Sequence, residues 1–344
     1  MSLSSLLAIP ELEARYKKVK KFFYLREAAY DVTSVCQLRC DGCYYFEGDK
    51  HKVIDNRDPL AWRQLLQSER DRGITYVNLA GAEPSMVPEI LRACYETIPL
   101  GTVFTNGLKP IDPEIRYRLH LSVWGDGSGD PIYRKQAGGR AGPYCLPIQL
   151  KNYNDDDRVV FVYTFNSQNI DQLDEVLQKV SGQGQKLTFN VFSAPEGNRS
   201  QLKLNDELAQ IRDKMMMAID RYSETVIYSE YNAEVHTNET GLRDRFSCPY
   251  PRAAGDRAKP FGIGKTFRNY RADLSYAAFS CCVPDTDCAD CRHYAAGSAI
   301  ISSRLDLHIG SEQDFRGWLD YVDTYLAVWM PGYQKGENLY RAGR

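Results

Sequence analysis

The sequence predicts an α/β fold, an incomplete (β/α)6 barrel followed by a small C-terminal module that carries cysteines. Three observations support this. Short runs of β-branched and apolar residues alternate with helical stretches between residues 28 and 225, and such alternation builds βαβ units on a parallel sheet. The candidate strands number six, fewer than the eight of a closed barrel. The cysteines fall mainly into two groups, Cys36/Cys40/Cys43 and Cys248/Cys281/Cys282/Cys288/Cys291.

In chain order, residues 1–27 are expected to form an N-terminal helical extension. AAYDVT (28–33) reads as the first strand and runs directly into the first cysteine group. Asp58-Pro59 offers an N-cap with proline at the first helical position, and the helix that follows ends at Gly73. ITYVNLA (74–80) is the second strand and delivers Gly81-Ala82-Glu83-Pro84. A helix over 88–98 leads to the third strand, 102–105, and RLHLSVW (118–124) is the fourth. Strands five and six, 158–164 and 187–192, flank a helix over 170–180 for which Asn169 is the expected N-cap. Alternation places His120, Ser122 and Trp124 on the inward face of strand four, and Thr188, Asn190 and Phe192 on that of strand six. The barrel is expected to end near residue 225, with the cysteine module over 226–310. A terminal helix and tail occupy 311–344. In that helix Phe315, Trp318, Leu319, Val322 and Leu326 recur at core spacing.

Composition narrows the class. A chain of 344 residues with a formal net charge of -2 offers no surface for nucleic acid or an anionic membrane. No apolar run approaches a membrane span. Pro10 and Glu11 interrupt the N-terminal apolar stretch before it reaches signal-peptide length. A reducing cytoplasm is therefore expected, where clustered cysteines serve metal or redox chemistry.

The loop Cys36-x3-Cys40-x2-Cys43-Tyr44 offers three thiolates. A structural zinc needs four ligands, whereas a [4Fe–4S] cubane held by three keeps one iron open for a small molecule. This motif, with its following aromatic residue, resembles the signature of the radical SAM enzymes. The resemblance implies a cluster on Cys36, Cys40 and Cys43 whose open iron is chelated by S-adenosylmethionine (SAM). It also implies reductive cleavage of SAM to a 5′-deoxyadenosyl radical that abstracts hydrogen from the substrate. Gly81-Ala82-Glu83-Pro84 matches the family's GGEP motif, with Ala82 in place of the second glycine, and would line up the SAM amino group. Ser122 and Arg134 are carried over as contacts to the SAM ribose and carboxylate. Trp124 stands where the family pattern has aspartate. Tyr44 and Asn190 complete the expected cofactor contacts.

The second cysteine group resembles a twitch domain, the shortened SPASM module that holds one auxiliary [4Fe–4S] cluster. The expected ligands are Cys248, Cys281, Cys288 and Cys291, with Cys282 spare and a candidate hydrogen donor to a substrate radical. A four-cysteine zinc ribbon is the alternative. Cys94 and Cys145 read as ordinary thiols, with Cys145 in a loop and an outside candidate for the donor. The expected activity is epimerisation or two-electron oxidation of a small molecule (a sugar, aminocyclitol or glycoside), with electrons from flavodoxin or ferredoxin. A ribosomal-peptide maturase is the second reading. An iron–sulfur electron-transfer protein without radical chemistry is the third.

Overall fold

A computed structural model of the chain describes residues 1–48, 50–194, 200–204, 206–250, 262–277 and 288–333. Its strands are β1 (Glu27–Asp31), β2 (Leu38–Cys40), β3 (Tyr76–Ala80), β4 (Gly101–Thr105), β5 (Arg118–Val123), β6 (Arg134–Gln136), β7 (Val159–Phe165), β8 (Leu187–Val191), β9 (Asn269–Tyr270) and β10 (Tyr276–Ala277). Among the described residues the main sheet has the order β10-β9-β1-β3-β4-β5-β7-β8. Every neighbouring pair in it is parallel except β10 with β9. The expected strands are thus all present, laid side by side in chain order as a β/α barrel requires. β9 adds a further parallel strand outside β1, which sequence alone did not indicate.

The crossover helices cover the outer face. Asp58 caps the helix Pro59–Asp71 by accepting from the Leu60 N–H, with proline at its first position. The helices Pro88–Thr97, Leu173–Ser181 and Leu208–Arg221 bury apolar faces against the sheet in one continuous core. No helix joins β4 to β5. Two local expectations are corrected. Cys145 opens the helix Cys145–Asn152 rather than lying in a loop. Asn169 does not cap its helix: its amide accepts from the Asn166 N–H and donates to the Thr164 carbonyl, which closes the turn at the end of β7.

The inner face of the half-barrel is filled from the C-terminus. The helix Glu312–Trp329 is capped by Ser311, which accepts from the Asp314 N–H, and it buries Phe315, Trp318, Leu319, Val322 and Leu326 as their spacing predicts. Its last turn enters the barrel. Helix C-termini leave carbonyls without intrahelical partners, and here inward side chains of the strands supply the donors. Arg118 donates to the Ala327 and Met330 carbonyls, Tyr76 to that of Trp329, and His120 Nε2 lies 3.1 Å from that of Val328. The N-terminal helix Pro10–Lys20 packs on the outside of this terminal helix through Tyr16, with Arg15 and Lys18 paired to Asp320 and Asp323.

Three histidines, His120 and His236 buried and His293 half-buried, make this interior acid-sensitive. His120 Nε2 faces a carbonyl, so it carries the proton and Nδ1 accepts from the Tyr294 hydroxyl. His236 donates through Nδ1 to the Arg292 carbonyl and accepts from Tyr321. His293 Nδ1 accepts from the Ala295 N–H at the start of the helix Tyr294–Ser302. Burial is the main cause that pushes them down, to about 3, about 4 and about 3. A folded-state value below the unfolded one means that protons bind the unfolded chain first. This stabilisation is complete above pH 6.5 and is lost as pH falls towards the folded values, by up to about 1.4 kcal/mol per pH unit for each histidine. Thermal unfolding followed from pH 7 to 4 should show a steep fall in Tm, and His293→Asn, which keeps an acceptor at the cap, should make the slope shallower. An unchanged slope would remove His293 from the set.

Candidate active site

The C-terminal ends of the strands surround a cavity of about 270 Å3. Its walls are the inward residues of the sheet, among them Ala29, Asp31, Asn78, Ala80, His120, Ser122 and Asn190. Ala80, one residue past the Leu79–Val103 pair, stands level with Phe104 and His120, so its small side chain widens the space along β3. The inward face assigned to 118–124 is thereby observed.

The cysteine loop forms one rim. After β1, Thr33 and Ser34 both donate to Asp55, which fixes the exit of the chain from the sheet. The loop returns as β2, antiparallel to β6, with Cys40 directly opposite Arg134. The Leu38 N–H and Asn106 Nδ2 donate to Cys36 Sγ at 3.2 and 3.7 Å. Gly42 has φ +66°, and a Cβ there would lie 2.6 Å from the Phe192 ring, so the loop sits against the end of β8 only as glycine. Cys36, Cys40, Cys43 and Tyr44 all line the cavity. Burial pushes Cys36 and Cys43 up to about 12, with Glu83 beside Cys36 and Cys40 beside Cys43 adding to it. Such thiols stay protonated without a cation and release their protons to a metal. Among the described residues no three His, Cys, Asp or Glu side chains could hold a single ion. A cubane binds its thiolates through separate irons, and Cys36, Cys40 and Cys43 all line this one cavity.

The turn Gly81–Pro84 lies beside this loop at the end of β3. Gly81 has φ +124°, and a Cβ would meet the Thr33 carbonyl at 2.6 Å, so β1 and β3 exit together only with glycine there. Ala82 N–H donates to that same carbonyl. The Glu83 carboxylate, expected to attract an ammonium, is committed to the fold instead. It accepts from the Ser85 N–H, the Thr105 hydroxyl and the Asn106 N–H at 3.0, 2.6 and 2.8 Å.

Ser122 and Arg134 are brought together. Arg134 is 2% exposed, donates to the Ser122 carbonyl, contacts Cys40 and lies 5.7 Å over the Trp124 ring. Its Nε has no hydrogen-bond partner, Asp130 being 3.9 Å away. The Ser122 hydroxyl accepts from the Trp124 indole. Asn190 is a satisfied amide: it donates to Thr164 and accepts from the Tyr294 N–H, which ties β8 to the helix Tyr294–Ser302. Sequence reasoning missed Lys50, which reaches into the cavity and pairs with Asp31 at 2.6 Å. It also missed Asn106 on Cys36. A buried Lys–Asp pair separated by a loop leaves no periodic signal in the chain.

The second cysteine group is only partly visible. Cys281 and Cys282 lie outside the described residues. Cys248 packs against the core near Tyr250 and Phe267. Cys288 and Cys291 bracket a turn whose Ala289 carbonyl lies against Gly241, and the Leu242 N–H donates to the Cys291 carbonyl. Cys94 is buried in the outer core. Cys145 is buried beside Cys36 and Leu38, and its N–H donates to Asp130. It is not among the residues that line the cavity.

The backbone has solved counterparts. anSMEcpe with bound AdoMet (SAM) superimposes at a TM-score of 0.54, over 88% of this chain and 98% of that one, at 12% identity. SuiB of Streptococcus suis bound to SAM gives a TM-score of 0.51 over 81% of this chain and 67% of that one, at 16% identity. The chain shares the fold of these two SAM-bound structures. In sequence, a SAM-dependent nucleotide dehydratase from Thermoplasmatales archaeon (strain ISO4-H5) is 28% identical over 92 residues, 26% of this chain. The match spans 31% of that relative's own length. No family model matches. Within this fold the cysteine loop, Gly81 and Arg134 all line the cavity at the strand ends.

Proposed function

We propose that this chain is a radical SAM enzyme that abstracts hydrogen from a small molecule, a sugar, aminocyclitol or glycoside, and epimerises it or oxidises it by two electrons. One observation carries the reading: Cys36, Cys40 and Cys43 share one cavity with Gly81 and the buried Arg134. Cys36, Cys40 and Cys43 would hold a [4Fe–4S] cluster, which together with SAM would supply the 5′-deoxyadenosyl radical. The residues of the chain do the rest. Arg134 offers an unpartnered N–H to the SAM carboxylate, and the left-handed turn at Gly81 brings backbone close to its amino group. Asn106 and the Leu38 N–H donate to Cys36 and so stabilise the ligating thiolate. His120, held neutral, and Trp329 close the floor. An electron-transfer protein without radical chemistry has no use for such a cavity beside its cluster loop.

The auxiliary cluster is assigned to Cys248, Cys288 and Cys291 with Cys281, leaving Cys282 as donor, and the external reductant to a flavodoxin or ferredoxin. No helix among the described residues is long and apolar enough to cross a membrane. A peptide substrate is the second reading. It is supported by the structure of anSMEcpe with AdoMet and the Cp18Cys peptide, which matches at a TM-score of 0.51 over 92% of this chain.

Turnover in D2O separates the outcomes. An epimerase in which Cys282 gives back hydrogen places one deuterium at the inverted carbon, since thiol protons exchange with solvent. Cys282→Ala should then stop inversion while 5′-deoxyadenosine still forms. A product two hydrogens lighter and free of deuterium would overturn the epimerase in favour of the dehydrogenase.

A further inference from the structure

The deep arm of the cavity, along β1 and β9, carries side chains that the SAM contacts named above do not use. Ala29 is paired with Asn269 of β9 on one side and Asn78 of β3 on the other. Strands stand about 4.8 Å apart, so the two carboxamides bracket a trough about 10 Å wide over the small alanine. Asn78 is 7% exposed, and its Nδ2 donates to Glu27 at 2.9 Å. Its Oδ1 is buried and has no hydrogen-bond partner, and Asn78 is among the residues that line the cavity. A buried acceptor left unpaired costs about 1–3 kcal/mol, so the site is built to receive a donor. At the upper edge Lys50 Nζ gives one N–H to Asp31 at 2.6 Å and one to Asn269 at 3.4 Å. An ammonium has three donors, and the third is available. Tyr250 and Phe267, packed edge to face at 4.8 Å, give the arm an apolar wall.

We propose that this trough is the substrate subsite and takes one neutral polyhydroxylated ring, with a hydroxyl donating to Asn78 Oδ1, another accepting from Lys50 Nζ, and the C–H face lying on Tyr250 and Phe267. The inference rests on the small-molecule reading above and names its substrate class. A hydroxyl is both donor and acceptor, and so serves either edge of the trough. A phosphate or carboxylate has no place here: Lys50 is already matched by Asp31, and Glu27 adds a second carboxyl group to the same arm.

The test is equilibrium dialysis of the anaerobically reconstituted full chain against radiolabelled methyl α-glucoside and myo-inositol. Glucose 6-phosphate and a capped tetra-alanine peptide serve as competitors. Wild type should bind at least one of the polyols, and Asn78→Leu and Lys50→Met should weaken that binding by about tenfold or more. Ala29→Val removes no hydrogen bond and fills the trough, so it should block binding while its circular dichroism stays that of wild type. Absence of polyol binding, unchanged binding by folded Ala29→Val, or tighter binding of the phosphate or the peptide would each overturn the subsite. Cleavage of SAM by wild type is scored separately. Cleavage without polyol binding removes only the subsite, and polyol binding without cleavage removes the radical chemistry.

Discussion

Replacement of Cys36, Cys40 and Cys43 by alanine is expected to reduce SAM cleavage to the uncatalysed background and to halve the iron content. The three thiols line one rim of the cavity, and no other cysteine among the described residues does so. Reconstituted wild type should carry two cubanes, about eight irons, and the triple variant about four with matching sulfide. The variant should still fold, since sulfur-to-hydrogen changes on a rim remove little buried area. Iron and sulfide assay together with 5′-deoxyadenosine measurement decides the matter. Normal cleavage by the triple variant would remove the loop from the chemistry. Zinc without labile sulfide in that variant would turn the auxiliary cluster into a structural zinc site.

Glu83→Ala should destabilise the fold by about 3–5 kcal/mol, because three buried donors lose a charged acceptor at once. Those donors belong to the turn after β3 and to the end of β4, including the Asn106 N–H. Asn106 in turn donates to Cys36, so the loss should also loosen the cysteine loop and lower iron retention. Urea unfolding of the apoprotein measures the first effect, and iron content after gel filtration the second. If Glu83 served only to hold an ammonium, the substitution would weaken SAM binding and leave apoprotein stability within about 0.5 kcal/mol of wild type.

The strands, their order around the sheet and the rim residues were legible because each rests on a local pattern. β-branched runs, Asp58-Pro59 and the spacing of Phe315, Trp318 and Val322 report burial and capping within a few residues of themselves. Gly81 could be read because a motif marks it, although its reason lies in the Thr33 carbonyl about fifty residues away. What remained hidden depends on distant pairing. The β2–β6 ladder places Arg134 on Cys40, β9 extends the sheet beside β1, and the end of the terminal helix enters the barrel to be capped by Arg118 and Tyr76. Glu83 shows the converse: its position was legible, but which groups its carboxylate would satisfy was not, since Thr105 and Asn106 belong to another strand and its exit.

The central claim is that this cavity cleaves SAM reductively, and one measurement tests it most directly. The reconstituted wild-type chain is reduced with dithionite under anaerobic conditions, given SAM, and its products are quantified by mass spectrometry. Equimolar 5′-deoxyadenosine and methionine, formed only in the reduced sample, is the predicted result. A fully iron-loaded chain that leaves SAM intact, or converts it only to S-adenosylhomocysteine, would contradict it.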